Sequence, residues 1–210
     1  MKAGTVMDRL TELAIRIQSL AQAGLAYGKD PFDLERYREL RRISTELLSA
    51  ASGAPADTIE PWFCNETGYQ TPKLDTRAAV LREGKILLVH EKNGTWALPG
   101  GWCDVDRSVA SNTVKEVREE TGLDVTPVRL VAVQDWRRHN RCNLPFGVIK
   151  TFMLCEERGG TFRENIETTE ARYFAADELP ENLAPEKSTR EQIRLCFDAA
   201  AAPAWQTVFD

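Results

Sequence analysis

The sequence lacks several features that would place the protein in a specialised class. No apolar stretch approaches the roughly 20 residues that a membrane-spanning helix needs, and no run of Lys or Arg is present in a chain of net charge −5. The five cysteines, odd in number, show no C-x-x-C spacing: Cys64, Cys103, Cys142, Cys155 and Cys196. These absences disfavour a membrane protein, a dedicated nucleic-acid binder and a disulfide scaffold. No signal peptide is recognisable, so we expect a soluble cytoplasmic protein with reduced thiols.

Two amphipathic helices are predicted in the first sixty residues. The first carries an apolar stripe at helical spacing: Met7, Leu10, Leu13, Ile17 and Leu20. The second begins after Asp30, a predicted N-cap, with Pro31 at its first position, and carries Leu34, Tyr37, Leu40, Ile43 and Leu47. Such a hairpin is too small to fold alone. We expect its apolar stripe to pack on the second domain or on another copy of the chain.

Strand patterns replace the helical ones from about residue 75. The candidate strands are 77–82 and 85–90 around a Glu83-Gly84 turn, then 125–136, 146–155 and 170–175, with a final helix over 186–200. Strands interspersed with few helices predict a mixed α/β sandwich. The predicted organisation is an N-terminal helical domain (1–58), a connecting segment (59–74, after a 52–56 linker) and an α/β domain (75–210).

An acidic helix is the most informative feature of the chain. Residues 111–123 (SNTVKEVREETGL) place Glu116, Glu119 and Glu120 on neighbouring positions of a helical surface. The apolar residues Ala110, Val114 and Val117 are predicted to form the inward side. Three adjacent carboxylates repel one another unless a cation lies among them, and oxygen ligands suit Mg²⁺ or Mn²⁺. The alternative is an acidic, solvated helix face.

The acidic helix and the loop before it together resemble the Nudix box. Its order here is Leu98-Pro99-Gly100-Gly101, five residues, Arg107, seven residues, and Lys115 to Leu123. Two positions depart from the pattern, because Arg107 replaces the first Glu and Lys115 replaces the usual Arg. Residues 33–37 and 68–78 are similar to a Nudix subgroup with a helical N-terminal extension, which includes pyrophosphatases acting on CDP-choline and ADP-ribose.

The resemblance implies a fold and a reaction. The fold would be a Nudix α/β/α sandwich with a mixed sheet, preceded by the helical hairpin, in a homodimer. The reaction would be metal-dependent hydrolysis of the pyrophosphate bond of a nucleoside diphosphate linked to another group, of CDP-choline or ADP-ribose type. Two alternatives stay open: a non-catalytic nucleotide-binding module, which Arg107 favours, and a nucleoside-triphosphate pyrophosphatase.

The resemblance also assigns roles within the box. Glu116 and Glu120 would be the main Mg²⁺ ligands, with the Gly101 carbonyl as a further ligand. Glu119 would be a third ligand or the base that orients water. Lys115 can reach Glu119 one helical turn away and position it, although as a point charge rather than a planar fork.

Other candidates lie outside the box, and each has a plainer alternative. Glu167 could be the base, or a solvated loop acid. Arg77 could clamp a substrate phosphate, or form a surface ion pair. Tyr69 could stack on a base, or simply pack. His139, in a basic stretch that ends at Arg141, could meet a phosphate or ribose, or lie in a solvated loop.

Overall fold

The chain forms two separate units. The computed structural model describes residues 9–140, 144 and 146–210, so Met7, Arg141 and Cys142 lie outside the described residues. The described part of one unit, the helical unit, is residues 9–72 with 144 and 146–147, and that of the other, the sheet unit, is residues 73–140 and 148–210. Among the described helices, none is both long and apolar enough to cross a bilayer.

The described part of the helical unit contains three helices. They are α1 (Arg9–Tyr27), α2 (Pro31–Ser52) and α3 (Ala56–Phe63). The predicted cap of α2 is confirmed, because the Asp30 side chain accepts hydrogen bonds from the Phe32 and Asp33 amides at 2.9 and 3.0 Å. Helix α3 occupies the end of the predicted helical domain and the start of the predicted connecting segment, where the sequence predicted no helix. The three helices share one apolar cluster: Ala14, Ile15, Leu48, Ile59 and Phe63.

The buried face of α1 is not its most apolar stripe. Ala14, Ile15 and Ala21 are buried, together with Gln18 and Gln22. The described residues of the predicted stripe are half-buried or exposed: Leu10, Leu13, Ile17 and Leu20. The helical unit therefore leaves large apolar side chains uncovered within the single chain, as the amphipathic pattern predicts.

Over its described residues, the sheet unit is built on seven strands. They are β1 (Lys73–Arg82), β2 (Lys85–Glu91), β3 (Trp96–Ala97), β4 (Leu123–Asp135), β5 (Val148–Gly160), β6 (Thr168–Phe174) and β7 (Val208–Phe209). Their order is β3-β2-β1-β5-β4-β7, with β6 paired to β2. Pairs β1–β5 and β4–β7 are parallel, and β1–β2, β2–β3, β2–β6 and β4–β5 are antiparallel. The mixed sheet that the sequence predicts is confirmed.

Helices cover both faces of this sheet. They are α4 (Val109–Thr121) and α6 (Arg190–Ala201), and a short α5 (Trp136–His139) follows β4. Alternate residues of a strand point to opposite faces, so Ala78 and Val80 pack in the cluster with Val117 of α4. Ala79 packs in the other cluster, with Ile193 of α6. The sheet unit is thus a three-layer α/β/α arrangement, with the acidic helix α4 as one layer.

The predicted domain boundaries at 58/59 and 74/75 stay a prediction. Helix α3 runs across the first of them, and β1 begins at Lys73, two residues before the second.

Two glycines with the same backbone conformation allow a matched test of the fold. Gly84, in the β1–β2 turn, and Gly122, which ends α4, have φ of 74° and 72°. A Cβ on Gly84 meets nothing within 4 Å, whereas a Cβ on Gly122 would lie 2.4 Å from the Thr161 carbonyl oxygen. We expect Gly84→Ala to lower the free energy of unfolding by about 1–2 kcal/mol through φ alone.

Gly122→Ala should lower the free energy of unfolding by about 1–3 kcal/mol more than Gly84→Ala does, because the chain must also move away from Thr161. Urea denaturation of the two variants measures the difference. Equal losses would contradict the close packing of α4 against the chain near Thr161.

Candidate functional site

The glycine-rich loop before α4 is fastened to strand β1. The Thr76 amide donates to the Gly101 carbonyl at 2.9 Å, and the Ala78 amide donates to the Pro99 carbonyl at 2.8 Å. Gly100 has a φ of 142°, and a Cβ there would lie 1.9 Å from the Thr76 carbonyl oxygen. Only glycine fits this approach, so the Gly100-Gly101 backbone is held against the sheet.

The start of helix α4 is fixed by a capping box and by a buried asparagine. Ser108 and Ser111 form a reciprocal capping box. Asn112 is fully buried, donates to the Trp102 carbonyl at 3.1 Å and accepts from the Asp104 amide at 3.1 Å. These bonds join the loop of residues 102–104 to the helix. Asn112 was not predicted as a site residue, because its partners lie in a loop whose path no local sequence pattern predicts.

Two of the three glutamates of α4 turn inward towards the glycine loop. Glu116 and Glu120 are buried. The Gly100 amide donates to Glu120 Oε2 at 2.8 Å, and a Cβ on Gly101 would lie only 2.8 Å from Glu116 Oε2. The structure therefore brings together three of the predicted metal-site residues, Glu116, Glu120 and Gly101.

The buried side of α4 differs from the predicted one. Val117 is buried as expected, but Val114 is half-buried and Ala110 is exposed. The prediction that Ala110 faces inward is wrong. The inward face carries Glu116 and Glu120 beside Val117, because the glycine loop supplies a polar contact that apolar periodicity does not reveal.

Glu119 lies apart from this pair and is held by Lys115. The Lys115 ammonium lies 3.1 Å from a carboxylate oxygen of each of Glu119, Glu116 and Asp104. The predicted contact between Lys115 and Glu119 is confirmed. The hydrogen bond that Lys115 donates to Glu119 raises the pKa of Lys115, although burial opposes it. Over the part of the chain that the structure describes, no three acid, imidazole or thiol side chains form a ready-made metal-binding group.

Burial makes the two inward carboxylates expensive to ionise. It raises the pKa of Glu120 to about 7 and also raises the pKa of Glu116. The charge of Arg77 opposes the rise at Glu120, and so does the Gly100 hydrogen bond. Two buried carboxylates beside the glycine loop form an oxygen-only donor set, which fits a hard dication that keeps other positions for water and phosphate.

Arg77 lies behind this site in a buried cluster of charges. Its guanidinium donates to both Asp75 oxygens at 2.8 and 2.6 Å and to the Leu98 carbonyl at 3.3 Å. Lys150 adds a third bond to Asp75 at 3.3 Å. Burial would raise the pKa of Asp75, but the two cations hold it below its usual range. The ion pair that the sequence left as the alternative for Arg77 is therefore present, buried rather than at the surface.

The loop that carries Glu167 is attached to the end of α4. Thr168 Oγ1 and Asn165 Nδ2 both donate to the Glu120 carbonyl, at 2.6 and 3.0 Å. Glu167 itself is exposed. The structure thus anchors this loop at the residue that also offers a buried carboxylate, and leaves the Glu167 side chain in solvent.

The remaining sequence candidates have other surroundings. Tyr69 belongs to the helical unit and is 75% exposed. His139 lies at the end of α5, with Nε2 2.9 Å from Asp210 Oδ1, so the expected loop there is in part a helix. Arg107 is exposed and lies 3.7 Å from Asp104. Asp104, which was not among the predicted site residues, forms ion pairs with both Arg107 and Lys115.

Comparison with known proteins assigns the family. Residues 72–195 match the model of the NUDIX domain, and residues 8–63 match a model described as a UDP-X-like, N-terminal oligomerisation domain. The chain is a Nudix hydrolase. Members of this family generally use divalent metal ions, which agrees with the oxygen donors at Glu116 and Glu120.

Several relatives resemble the chain over most or all of its length. It is 42% identical to the Bacillus subtilis protein named "Putative ADP-ribose pyrophosphatase YjhB", over 98% of this chain and 99% of that protein. The crystal structure of an ADP-ribose pyrophosphatase from Streptococcus suis is 52% identical, with a TM-score of 0.62, over 67% of this chain and all of that one. A crystal structure of a UDP-X diphosphatase is 33% identical, also with a TM-score of 0.62, over 97% of this chain and all of that one.

The raised pKa of Glu120 predicts how the stability of the metal-free protein depends on pH. The value rises from 4.5 to about 7 on folding, so the folded state favours the neutral acid. The contribution of Glu120 to stability is then greatest below pH 4.5 and is lost as the pH rises to 7. Glu120→Gln should make the metal-free protein more stable than wild type at about pH 8, by up to about 3 kcal/mol, and equally stable near pH 4.

Chemical denaturation in chelator at the two pH values measures this effect. Glu119→Gln is the control, because its side chain is exposed and its ion pair contributes less than about 1 kcal/mol. A Glu120→Gln variant that is less stable than wild type at the higher pH would contradict the burial of an ionisable Glu120.

Proposed function

We propose that the chain hydrolyses the pyrophosphate bridge of a nucleoside diphosphate linked to a second group, with Mg²⁺ or Mn²⁺ as cofactor. The observation that carries this proposal is the buried pair Glu116 and Glu120, held against Gly100 and Gly101. Such a pair is unfavourable for stability alone, and a bound dication would offset its charge.

In this proposal, Glu116 and Glu120 are the main ligands and the Gly101 carbonyl is a further one. The Thr76 amide uses one acceptor position of that carbonyl, and a carbonyl oxygen has two. When bound, the metal supplies charge neutralisation of the phosphate oxygens and acidifies a coordinated water. The chain holds both carboxylates in place through Gly100 and through Lys115.

We assign Glu119 as the residue that orients the attacking water, or as a third ligand, with Lys115 as its positioning residue. Glu167 is the alternative base, supported by the attachment of its loop to the Glu120 carbonyl. In either case the water oxygen bonds to one phosphorus as the bridging P–O bond breaks. Two phosphomonoesters result, and the water's proton passes to the base.

The substrate class is supported by the relatives. The Bacillus and Streptococcus proteins are named as ADP-ribose pyrophosphatases, and the second crystal structure is that of a UDP-X diphosphatase. We propose ADP-ribose, UDP-linked compounds and CDP-choline as the first candidates. Arg77 is not included among the substrate ligands, because its guanidinium already bonds to Asp75 and Leu98.

A panel of these compounds tests the activity. A coupled phosphatase releases phosphate from the phosphomonoester products but not from the intact diphosphates, so phosphate release with Mg²⁺ or Mn²⁺ measures hydrolysis. We expect turnover of at least one compound, and Glu120→Gln should reduce it by about 100-fold or more.

The same assay separates the candidate bases. If Glu167→Gln lowers kcat and Glu119→Gln does not, Glu167 is the base. If only Glu119→Gln lowers kcat, Glu119 is the base or the third ligand. The exposed Glu178→Gln is the control. Wild type that binds these compounds without cleaving any would indicate a nucleotide-binding module. Pyrophosphate release from nucleoside triphosphates would indicate a triphosphate pyrophosphatase.

We further propose that the helical unit joins two copies into a homodimer. Support comes from the match of residues 8–63 to an oligomerisation domain and from the uncovered apolar side chains of α1 and α2. Leu20 is 69% exposed and Phe32 is 66% exposed. Covering such residues is a common reason for association.

Sedimentation equilibrium tests the dimer. We expect wild type to sediment as a dimer and Leu20→Glu to weaken association by at least tenfold, because a carboxylate would enter an apolar contact. Ala26→Glu, at an exposed position of the same helix, should leave it unchanged. A wild-type monomer at all concentrations would overturn the proposal.

A further inference from the structure

Lys187 lies on a segment that is fastened to the glycine-rich loop. Its carbonyl accepts a hydrogen bond from the buried Lys150 ammonium at 2.9 Å. The next residue, Ser188, is fully buried and accepts from the Leu98 amide through Oγ at 3.3 Å. The backbone beneath Lys187 is therefore fixed to the same loop that contacts Glu120.

The side chain of Lys187 is held by one carboxylate and remains accessible. Its Nζ lies 2.5 Å from Glu91 Oε1 at the end of strand β2. The Lys187 side chain is 35% exposed, whereas that of Glu91 is 13% exposed. An ammonium has three donors, so the contact with Glu91 uses only part of its capacity.

Lys187 is also close enough to the candidate site to act on its charge. Burial raises the pKa of Glu120, and the charges of Arg77 and Lys187 oppose that rise. Arg77 is buried and its guanidinium is used by Asp75 and Leu98. Of these two cations, Lys187 is therefore the one that a ligand entering from solvent can meet.

The proposed reaction needs such a cation. A diphosphate carries negative charge on both phosphoryl groups, and the acidic face of α4 repels it. A dication at Glu116 and Glu120 offsets only part of this charge, while Lys115 is already bonded to three carboxylates. A lysine beside the site can neutralise the remainder as a point charge.

We propose that Lys187 binds a phosphoryl oxygen of the substrate, and that Glu91 is the positioning residue that holds its ammonium at the site. This inference rests on the diphosphate hydrolysis proposed above. It gives the Glu91–Lys187 pair a role beyond that of a partly exposed ion pair, which by itself adds little stability.

Kinetics of Lys187→Gln test the assignment. We expect kcat/KM for the best compound of the panel to fall about 10–100-fold, mainly through KM, because a charge-assisted hydrogen bond is lost. Lys187→Arg should recover much of the lost kcat/KM. Lys85→Gln, which removes the same charge from an exposed position of β2, should match wild type. Glu91→Gln should raise KM to a smaller extent.

A binding measurement separates this assignment from the hydrolytic proposal. Calorimetry with methylenediphosphonate measures diphosphate binding without turnover. It is done twice, once in chelator and once with Mg²⁺. If wild type cleaves no compound while Lys187→Gln still loses affinity, hydrolysis is refuted and the Lys187 assignment stands. If Lys187→Gln and Lys85→Gln bind methylenediphosphonate equally, the Lys187 assignment is overturned, whatever the activity.

Discussion

The burial of the Glu120 carboxylate against the Gly100 amide is the interaction on which the rest of the site depends. A carboxylate with one backbone hydrogen bond and a second carboxylate beside it is a poor core residue. Its pKa of about 7 expresses that cost. The surrounding structure is arranged to hold it there: strand β1 fixes the glycine loop, and Thr168 and Asn165 fix the end of α4 through the Glu120 carbonyl.

Charge is arranged around the pair Glu116 and Glu120 in three places. Lys115 joins Glu116 to Glu119 and Asp104 on one side. Arg77 lies behind the loop, locked to Asp75, and stays buried. Lys187, held by Glu91, is the more accessible cation. Lys115 and Arg77 therefore hold side chains of the protein itself in place, whereas Lys187 is suited to binding a ligand.

Local patterns predicted much of the fold and part of the site. The Asp30 cap, the acidic helix and the contact of Lys115 with Glu119 follow from local spacing along a helix. The inward turn of Glu116 and Glu120 could not be predicted in this way, because it depends on Gly100 and Gly101 lying across from α4. Other contacts of Arg77 and Lys187 were undetermined for the same reason, since Leu98 and Glu91 lie far from them along the chain. Helix α3 was not predicted because it is short, contains Pro61 and follows a segment with the composition of a linker.

The most direct test of the central claim is the titration of the Glu120 side chain itself. Carboxyl ¹³C shifts, assigned by comparison with Glu120→Gln, give its pKa in chelator and with saturating Mg²⁺. The account predicts a value near 7 in the metal-free protein and a fall of roughly two units or more with metal, because a dication favours the ionised form. An ordinary pKa in chelator, or a raised one that Mg²⁺ leaves unchanged, would contradict it.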